Sequence, residues 1–206
     1  MLPPVIPLFP LPNVVLFPNV QLPLHIFEPR YRAMLVDALA RDRLIGMVLL
    51  RPGWEADYEG RPPIFPVGCA GLVTHAERLP DGRANIVLRG VQKFHVEGEQ
   101  PGRPYRLAVV RPIAETLGEG DRERLRELWP QLERLVFARV TAPGARRLPE
   151  DLPGPDVVNA LAQYLDLDPL ERQALLECAG PLARCRLLID LLEMKLLAPG
   201  RAGGVH

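Results

Sequence analysis

Eight of the first thirty residues are proline: Pro3, Pro4, Pro7, Pro10, Pro12, Pro18, Pro23 and Pro29. Proline lacks a backbone N–H and fixes φ near −65°, so it breaks a helix interior and leaves a gap in a sheet ladder. The opening therefore reads as short or edge strands, "VIPLFPLPNVVLFPN" (5–19) and "VQLPLHIF" (20–27). The same prolines interrupt every apolar stretch before it reaches the roughly 18 residues that a membrane span needs. No basic residue precedes Arg30, which is unlike the charged start of a signal peptide. A soluble, cytoplasmic chain is the expectation.

The period then changes. In "EPRYRAMLVDALARD" (28–42), Tyr31, Met34, Leu35, Ala38 and Leu39 share one helical face, with Pro29 in the first turn and Glu28 bringing an anion to the helix N-terminus. "RLIGMVLL" (43–50) reads as a buried strand, and 51–63 as a loop. "FPVGCAGLVTHAERL" and "RANIVLRGVQKFHVEGE" flank Pro80-Asp81-Gly82, which predicts a hairpin turning at Pro80–Arg83. Gly68, Gly71 and Gly90 predict bulges or tight bends in those strands. "YRLAVVRPI" (105–113) closes a β-rich half of about six strands and one helix, a compact and partly open barrel. From Glu119 the period is 3.6. Leu125, Leu128, Trp129, Leu132, Leu135, Val136 and Val140 form a stripe that Pro130 should bend or break. An exposed connector over 141–155 leads to helical patterns at 156–166, 169–178 and 181–197, with Asp168-Pro169-Leu170-Glu171 as a start signal and a frayed tail over 198–206. The fold expected is α+β, with a β-rich domain over 1–117 and a helical domain over 118–206.

Counts exclude several functions. The chain contains no serine, which removes Ser-His-Asp and Ser-Lys catalysis. Its two lysines, Lys93 and Lys195, follow Gln92 and Met194, so no phosphate-binding loop of the Gly-Lys-Ser/Thr type is present. The three cysteines are too few for a disulfide framework and have no zinc spacing. Lys plus Arg and Asp plus Glu are both 25, a balance unlike that of a chain built mainly to coat nucleic acid. No cofactor, no metal and no enzymatic activity are expected.

The segments "PLFPLPNVVLFPNVQLPLHIFEPRYRAML" (7–35), "VGCAGLVTHAERLPDGRANIVLRGVQKFHV" (67–96) and "LAQYLDLDPLERQALLECAGPLARCRLLIDLL" (161–192) together resemble the N-terminal substrate-binding domain of Lon proteases. "LHIFEPRY" is similar to versions found outside the full protease, and Lys93 stands where that family usually has arginine. The resemblance covers roughly residues 3–197. It implies a PUA-like pseudobarrel followed by a helical bundle, without the family's ATPase and peptidase modules. It also implies a non-catalytic module that binds unfolded or apolar polypeptide segments, an adaptor or regulator in protein quality control working with an ATP-dependent protease or chaperone. Because PUA-like barrels can bind RNA, an RNA-binding module is the alternative.

Within that frame several residues carry candidate roles. Glu28, Arg30 and His25 form the best-looking polar cluster, with capping and local pairing as its structural reading. His75 and His95 lie in the two hairpin strands, where they could face each other. Arg83, Arg89, Lys93, Arg103, Arg106 and Arg111, set against Glu97 and Glu99, form the basic span that an RNA reading would use. Trp54 and Tyr58, in loop 51–63, are the candidate peptide-binding residues beside an expected apolar groove; alternatively Trp54 folds over a barrel end as a lid. Phe9, Phe17 and Phe27 are expected in the core, and Cys178 and Cys185 as small hydrophobes.

Overall fold

The computed structural model describes residues 2–58, 60–139 and 154–197. It has two compact units, one holding residues up to Ala114 together with Asn159–Glu177, the other Glu115–Val158 with Cys178 onward. Secondary structure does change from strand to helix near residue 117, but the units do not divide there.

The first unit contains β1 (Val5–Leu11), β2 (Gln21–Ile26), α1 (Pro29–Leu39), β3 (Leu44–Leu49), β4 (Val67–Arg78), β5 (Ala84–Gln100) and β6 (Arg106–Ile113). The sheet runs β2-β5-β4-β3-β1-β6, and an added β5–β6 pairing closes five of its strands into a ring. The length of β5 permits this closure. Its first part, from Ala84 to Arg89, pairs with β2, and its later part, from Lys93 to Gln100, pairs with β6. Among the described residues only β1 and β3 run parallel. Ile6, Leu8, Val48, Ala70, Phe94, Ala108 and Val110 come from all five ring strands and fill the interior. Full burial of one such large side chain contributes about 1.5–3 kcal/mol.

The ring makes β1 an inner strand despite Pro7 and Pro10, whereas the sequence suggested short or edge strands. The two neighbours divide it: β6 pairs with Val5 to Leu8 and β3 with Leu8 to Leu11. Each proline thus lies where the strand has one partner, as on an edge. β2, with Pro23, is a true edge, paired with β5 alone.

The hairpin turns as expected. The Leu79 amide donates to the Arg83 carbonyl (2.8 Å), and Gly82 takes φ +83°, which favours glycine. The β4–β5 register slips between Ala70 and Gly71 and again between Val73 and His75. At Gly90 a Cβ would sit 2.0 Å from the Phe17 carbonyl oxygen, so the position admits no side chain.

Two helical segments also belong to this unit: the end of α3 (Gly154–Tyr164), from Asn159, and α4 (Pro169–Glu177). The Phe17 amide donates to Gln163 Oε1 (3.2 Å), Gln163 Nε2 donates to the Val15 carbonyl (2.9 Å), and Asn159 Nδ2 donates to the Pro18 carbonyl (3.0 Å). Residues i and i+4 on one helix face thereby satisfy a buried stretch of irregular backbone. At the start of α4 the Asp168 amide donates to Glu171 Oε2 (2.7 Å), so the start signal at Asp168–Glu171 closes on itself.

In the second unit α2 (Asp121–Arg139) packs on α5 (Pro181–Leu197), with Gln131 Nε2 donating to Glu193 Oε1 at 2.8 Å. Arg184 is fully buried and paired with Glu115. Leu125, Leu132, Leu135 and Val136 are buried, as their spacing predicts. Pro130 does not break α2, which continues through it. The residue is exposed, so water can take up the carbonyl left without an amide donor. Val140, most of the 141–155 connector and the 198–206 tail lie outside the described residues.

Candidate functional site

The corner between β2 and α1 organises the surface of the barrel unit. Alternation along β2 turns Ile26 inward, 1% exposed, and the next residue outward. Phe27 is therefore 58% exposed rather than in the core, whereas Phe9 and Phe17 are buried. The signal was present in the sequence: Phe27 has the parity of Gln21, Pro23 and His25.

Beside this corner a groove of about 470 Å³ is lined by Pro29, Ala33, Leu35, Val36, Leu79 and Ala84, together with Arg32 and Arg78. Val36 is itself 49% exposed. Val36 thus opens the groove to solvent, and the exposed Phe27 stands two residues before the Pro29 in its wall.

The other side of the corner faces loop 51–63. Glu28 occupies the N-cap position of α1, but its carboxylate makes no capping bond. It accepts instead from Arg30 Nε (2.9 Å) and from the Tyr58 hydroxyl (2.6 Å). Arg30 also donates to the Tyr58 carbonyl (3.3 Å) and lies over the Tyr31 and Tyr58 rings, 4.7 and 5.0 Å from their centroids. Trp54 begins a short 3₁₀ turn, Trp54–Asp57, and meets Tyr58 edge-on with ring centroids 5.3 Å apart. Both aromatics are half-buried. Burial and the Glu28 carboxylate together hold the Tyr58 phenol above the ordinary tyrosine range.

Tyr58 lines a cavity of about 240 Å³; Trp54 is not among its lining residues. Arg30, Arg61, Arg103 and Arg106 also line it, along with Tyr31 and Tyr105. The Tyr105 hydroxyl donates to Asp37 Oδ2 (2.5 Å). Burial first, then that carboxylate, raises its pKa to about 12; burial raises that of Tyr31 to about 12 as well. The groove expected beside loop 51–63 is thus a cavity rich in guanidinium groups, which the sequence did not foretell because its arginines come from three separate segments.

Other expected groupings do not form. His25 leaves Glu28 and Arg30 and pairs with Asn85 at 2.8 Å, since β2 runs beside β5. His75 and His95 do not face each other: the register sets His75 opposite Val87 and His95 opposite Val67. The basic span is also dispersed. Lys93 is buried, and Arg83, Arg103, Arg106 and Arg111 are paired with Asp81, Asp37, Glu99 and Glu97. Among the described residues no three His, Cys, Asp or Glu side chains come together as metal ligands, and no helix is long and apolar enough to cross a membrane.

Residues 5–194 match the family model described as the ATP-dependent protease La (LON) substrate-binding domain. The chain is 27% identical to Lon protease 2 of Myxococcus xanthus over 205 residues, covering 94% of this chain and 24% of that protein. It is 29% identical to Lon protease 2 of Sorangium cellulosum, covering 93% of this chain and 25% of that protein. It therefore spans about a quarter of the length of these curated relatives. Its fold is similar to the Lon N-terminal domain protein from Xanthomonas campestris (TM-score 0.60, 22% identity, 95% of this chain and 99% of that one). It is also similar to the N-terminal domain of the Mycobacterium avium complex Lon protease (TM-score 0.66, 18% identity, 92% of this chain and 98% of that one).

Proposed function

The chain belongs to the Lon substrate-binding domain family, and from that premise we propose that it is a non-catalytic module that holds apolar segments of unfolded polypeptides. The observation that carries this reading is the exposed Phe27, two residues before the Pro29 that lines the groove between α1 and the β4–β5 hairpin. A half-exposed aromatic costs a soluble protein solubility, and aromatic side chains are the common anchors of binding surfaces. Trp54 and Tyr58, across the 27–30 corner, are proposed as a second pair of anchors. The absence of serine and of a phosphate-binding lysine supports a binding role over ATP or peptide hydrolysis by this chain. The partner proposed is an ATP-dependent protease or chaperone to which the module brings clients or for whose clients it competes, in protein quality control. None of the three cysteines is in a disulfide, which accords with a cytoplasmic location. RNA binding, the alternative, loses its main support because most of the basic span is buried or ion-paired.

The test is anisotropy of fluorescein-labelled casein titrated with the protein and with Phe27→Asp. Loss of a true anchor removes about 2 kcal/mol or more, which is roughly thirtyfold in affinity at 1.4 kcal/mol per decade. The melting temperature should not move, because the side chain is already largely in water. Equal affinity of the variant would remove the groove from the account.

A further inference from the structure

The cavity beside loop 51–63 is built from more charge than an apolar ligand can use. Four guanidinium groups line it, and three carboxylates answer them: Glu28, Asp37 and Glu99. Two of the four arginines are fully engaged. Arg106 forks onto both oxygens of Glu99 and donates to the Pro62 carbonyl (2.7 Å). Arg30 is held by Glu28, by the Tyr58 carbonyl and between two rings. Arg61 and Arg103 differ. Their side chains are 49% and 43% exposed, and each reaches one carboxylate, at 3.5 and 3.1 Å. Those carboxylates are shared with closer donors: Glu99 with Arg106, and Asp37 with the Tyr105 hydroxyl. The two least engaged cations thus stand at a cavity whose other walls include Pro10, Leu50 and Tyr31. At about 240 Å³ the space is below the usual range of about 300–1,000 Å³ for small-molecule sites and suits a single residue of a longer ligand.

Resting on the polypeptide-binding reading above, we infer that this cavity reads a carboxylate carried by the bound polypeptide, with Arg61 and Arg103 as the recognising groups. Planar guanidinium groups match a carboxylate with two parallel hydrogen bonds, about twice as strong as neutral ones. The groove and the cavity flank the start of the same helix: Pro29 lines one and Arg30 the other. A segment with its apolar part in the groove can therefore present an acidic residue, or its own C-terminus, across one corner. The apolar groove supplies adhesion and the cavity supplies selection among apolar segments.

The experiment uses four labelled decapeptides of one apolar sequence: with Glu or Gln at one internal position, each as free acid or C-terminal amide. The full chain should bind the peptides that keep a carboxylate at least about tenfold more tightly than the neutral Gln amide. Dependence on Glu identifies a side chain as the source, and dependence on the free acid identifies the C-terminus; either supports the inference. In Arg61→Gln/Arg103→Gln the preference should shrink to less than twofold while the neutral peptide still binds and the melting temperature holds. Added salt should also reduce the preference, because these cations are half-exposed. Equal binding of all four peptides by the native chain overturns the carboxylate site alone. So does an unchanged preference in the double variant, or an RNA oligonucleotide that binds more tightly than the acidic peptides through the same arginines. Failure of every peptide to bind overturns this inference together with the polypeptide-binding reading.

Discussion

Two stretches of irregular chain in the barrel unit, residues 12–20 and 51–63, make opposite use of the same kind of sequence. Both are rich in proline and both carry large apolar side chains. The first is buried at Val15, Leu16 and Phe17, and its backbone is satisfied by amide side chains some 140 residues later, on α3. The second is largely exposed, and the β2–α1 corner latches it through the phenol and carbonyl of Tyr58. A buried loop must have every polar group matched and so becomes part of the structure. A loop held by side chains at Tyr58, Arg61 and Pro62, with most of its length in water, can rearrange around a ligand at less cost. The comparison assigns stability to the first stretch and recognition to the second.

The largest effect expected is therefore on the buried stretch. Gln163→Leu removes both bonds that this side chain makes and leaves the buried Val15 carbonyl without its amide donor. At about 1–3 kcal/mol for a buried unpaired group, the loss is a substantial part of a typical domain's stability. Denaturant unfolding measures it. An unchanged midpoint would mean that water replaces the amide and that the first stretch is no more structural than the second.

Trp54→Ala probes the exposed stretch. Polypeptide affinity should fall about tenfold, or 1.4 kcal/mol, with stability changed by no more than about 0.5 kcal/mol, as for ordinary surface sites. The opposite pattern, intact affinity with a lower melting temperature, would make Trp54 a lid over the barrel end and move loop 51–63 to the structural side of the comparison.

Tyr58→Phe sharpens the latch. It keeps the ring beside Arg30 and Trp54 but removes the hydroxyl that donates to Glu28. The cost should be about 1 kcal/mol, and amide exchange should quicken in residues 51–63 while residues 12–20 keep their protection. Equal acceleration in both would dissolve the distinction.

The smallest effect appears only in alkali. Tyr31 and Tyr105 line the cavity beside the exposed stretch with pKa values raised to about 12. A raised value means that the fold favours the neutral phenol. That contribution is complete below the ordinary tyrosine pKa of about 10 and is lost as pH rises through about 12. A phenolate absorbance titration should show Tyr31 and Tyr105 ionising late, alongside the raised Tyr58, with one late step absent in Tyr105→Phe. Ionisation of both near pH 10 would mean that the cavity wall is open to water.

Much of this architecture was legible because it rests on local rules. The hairpin at Pro80–Arg83 follows from Asp-Gly between two β runs, α1 from Pro29 and its apolar stripe, and α4 from the Asp168–Glu171 pair. What stayed hidden depends on partners distant in sequence. Nothing around Val15 to Phe17 announces that Gln163 will satisfy them, so residues 159–177 read as part of a helical domain rather than of the barrel unit. Pro7 and Pro10 suggested an edge, and only the split pairing of β1 reconciles them with a closed ring. The candidate site divides in the same way. Tyr58 was singled out as a loop aromatic, whereas the gathering of Arg30, Arg61, Arg103 and Arg106 required the fold. Phe27 differs for a simpler reason: its size suggests the core, whereas its parity with Gln21, Pro23 and His25 turns it outward.

The most direct test of the central claim, that the corner at residues 27–30 is where polypeptide binds, is hydrogen exchange of the full chain with and without saturating unfolded casein. Protection should appear in residues 26–36, in the hairpin around Leu79 to Ala84 and in residues 51–63, with residues 12–20 unchanged because they are already matched. Protection confined to α2 and α5, or none anywhere at saturation, would contradict the account.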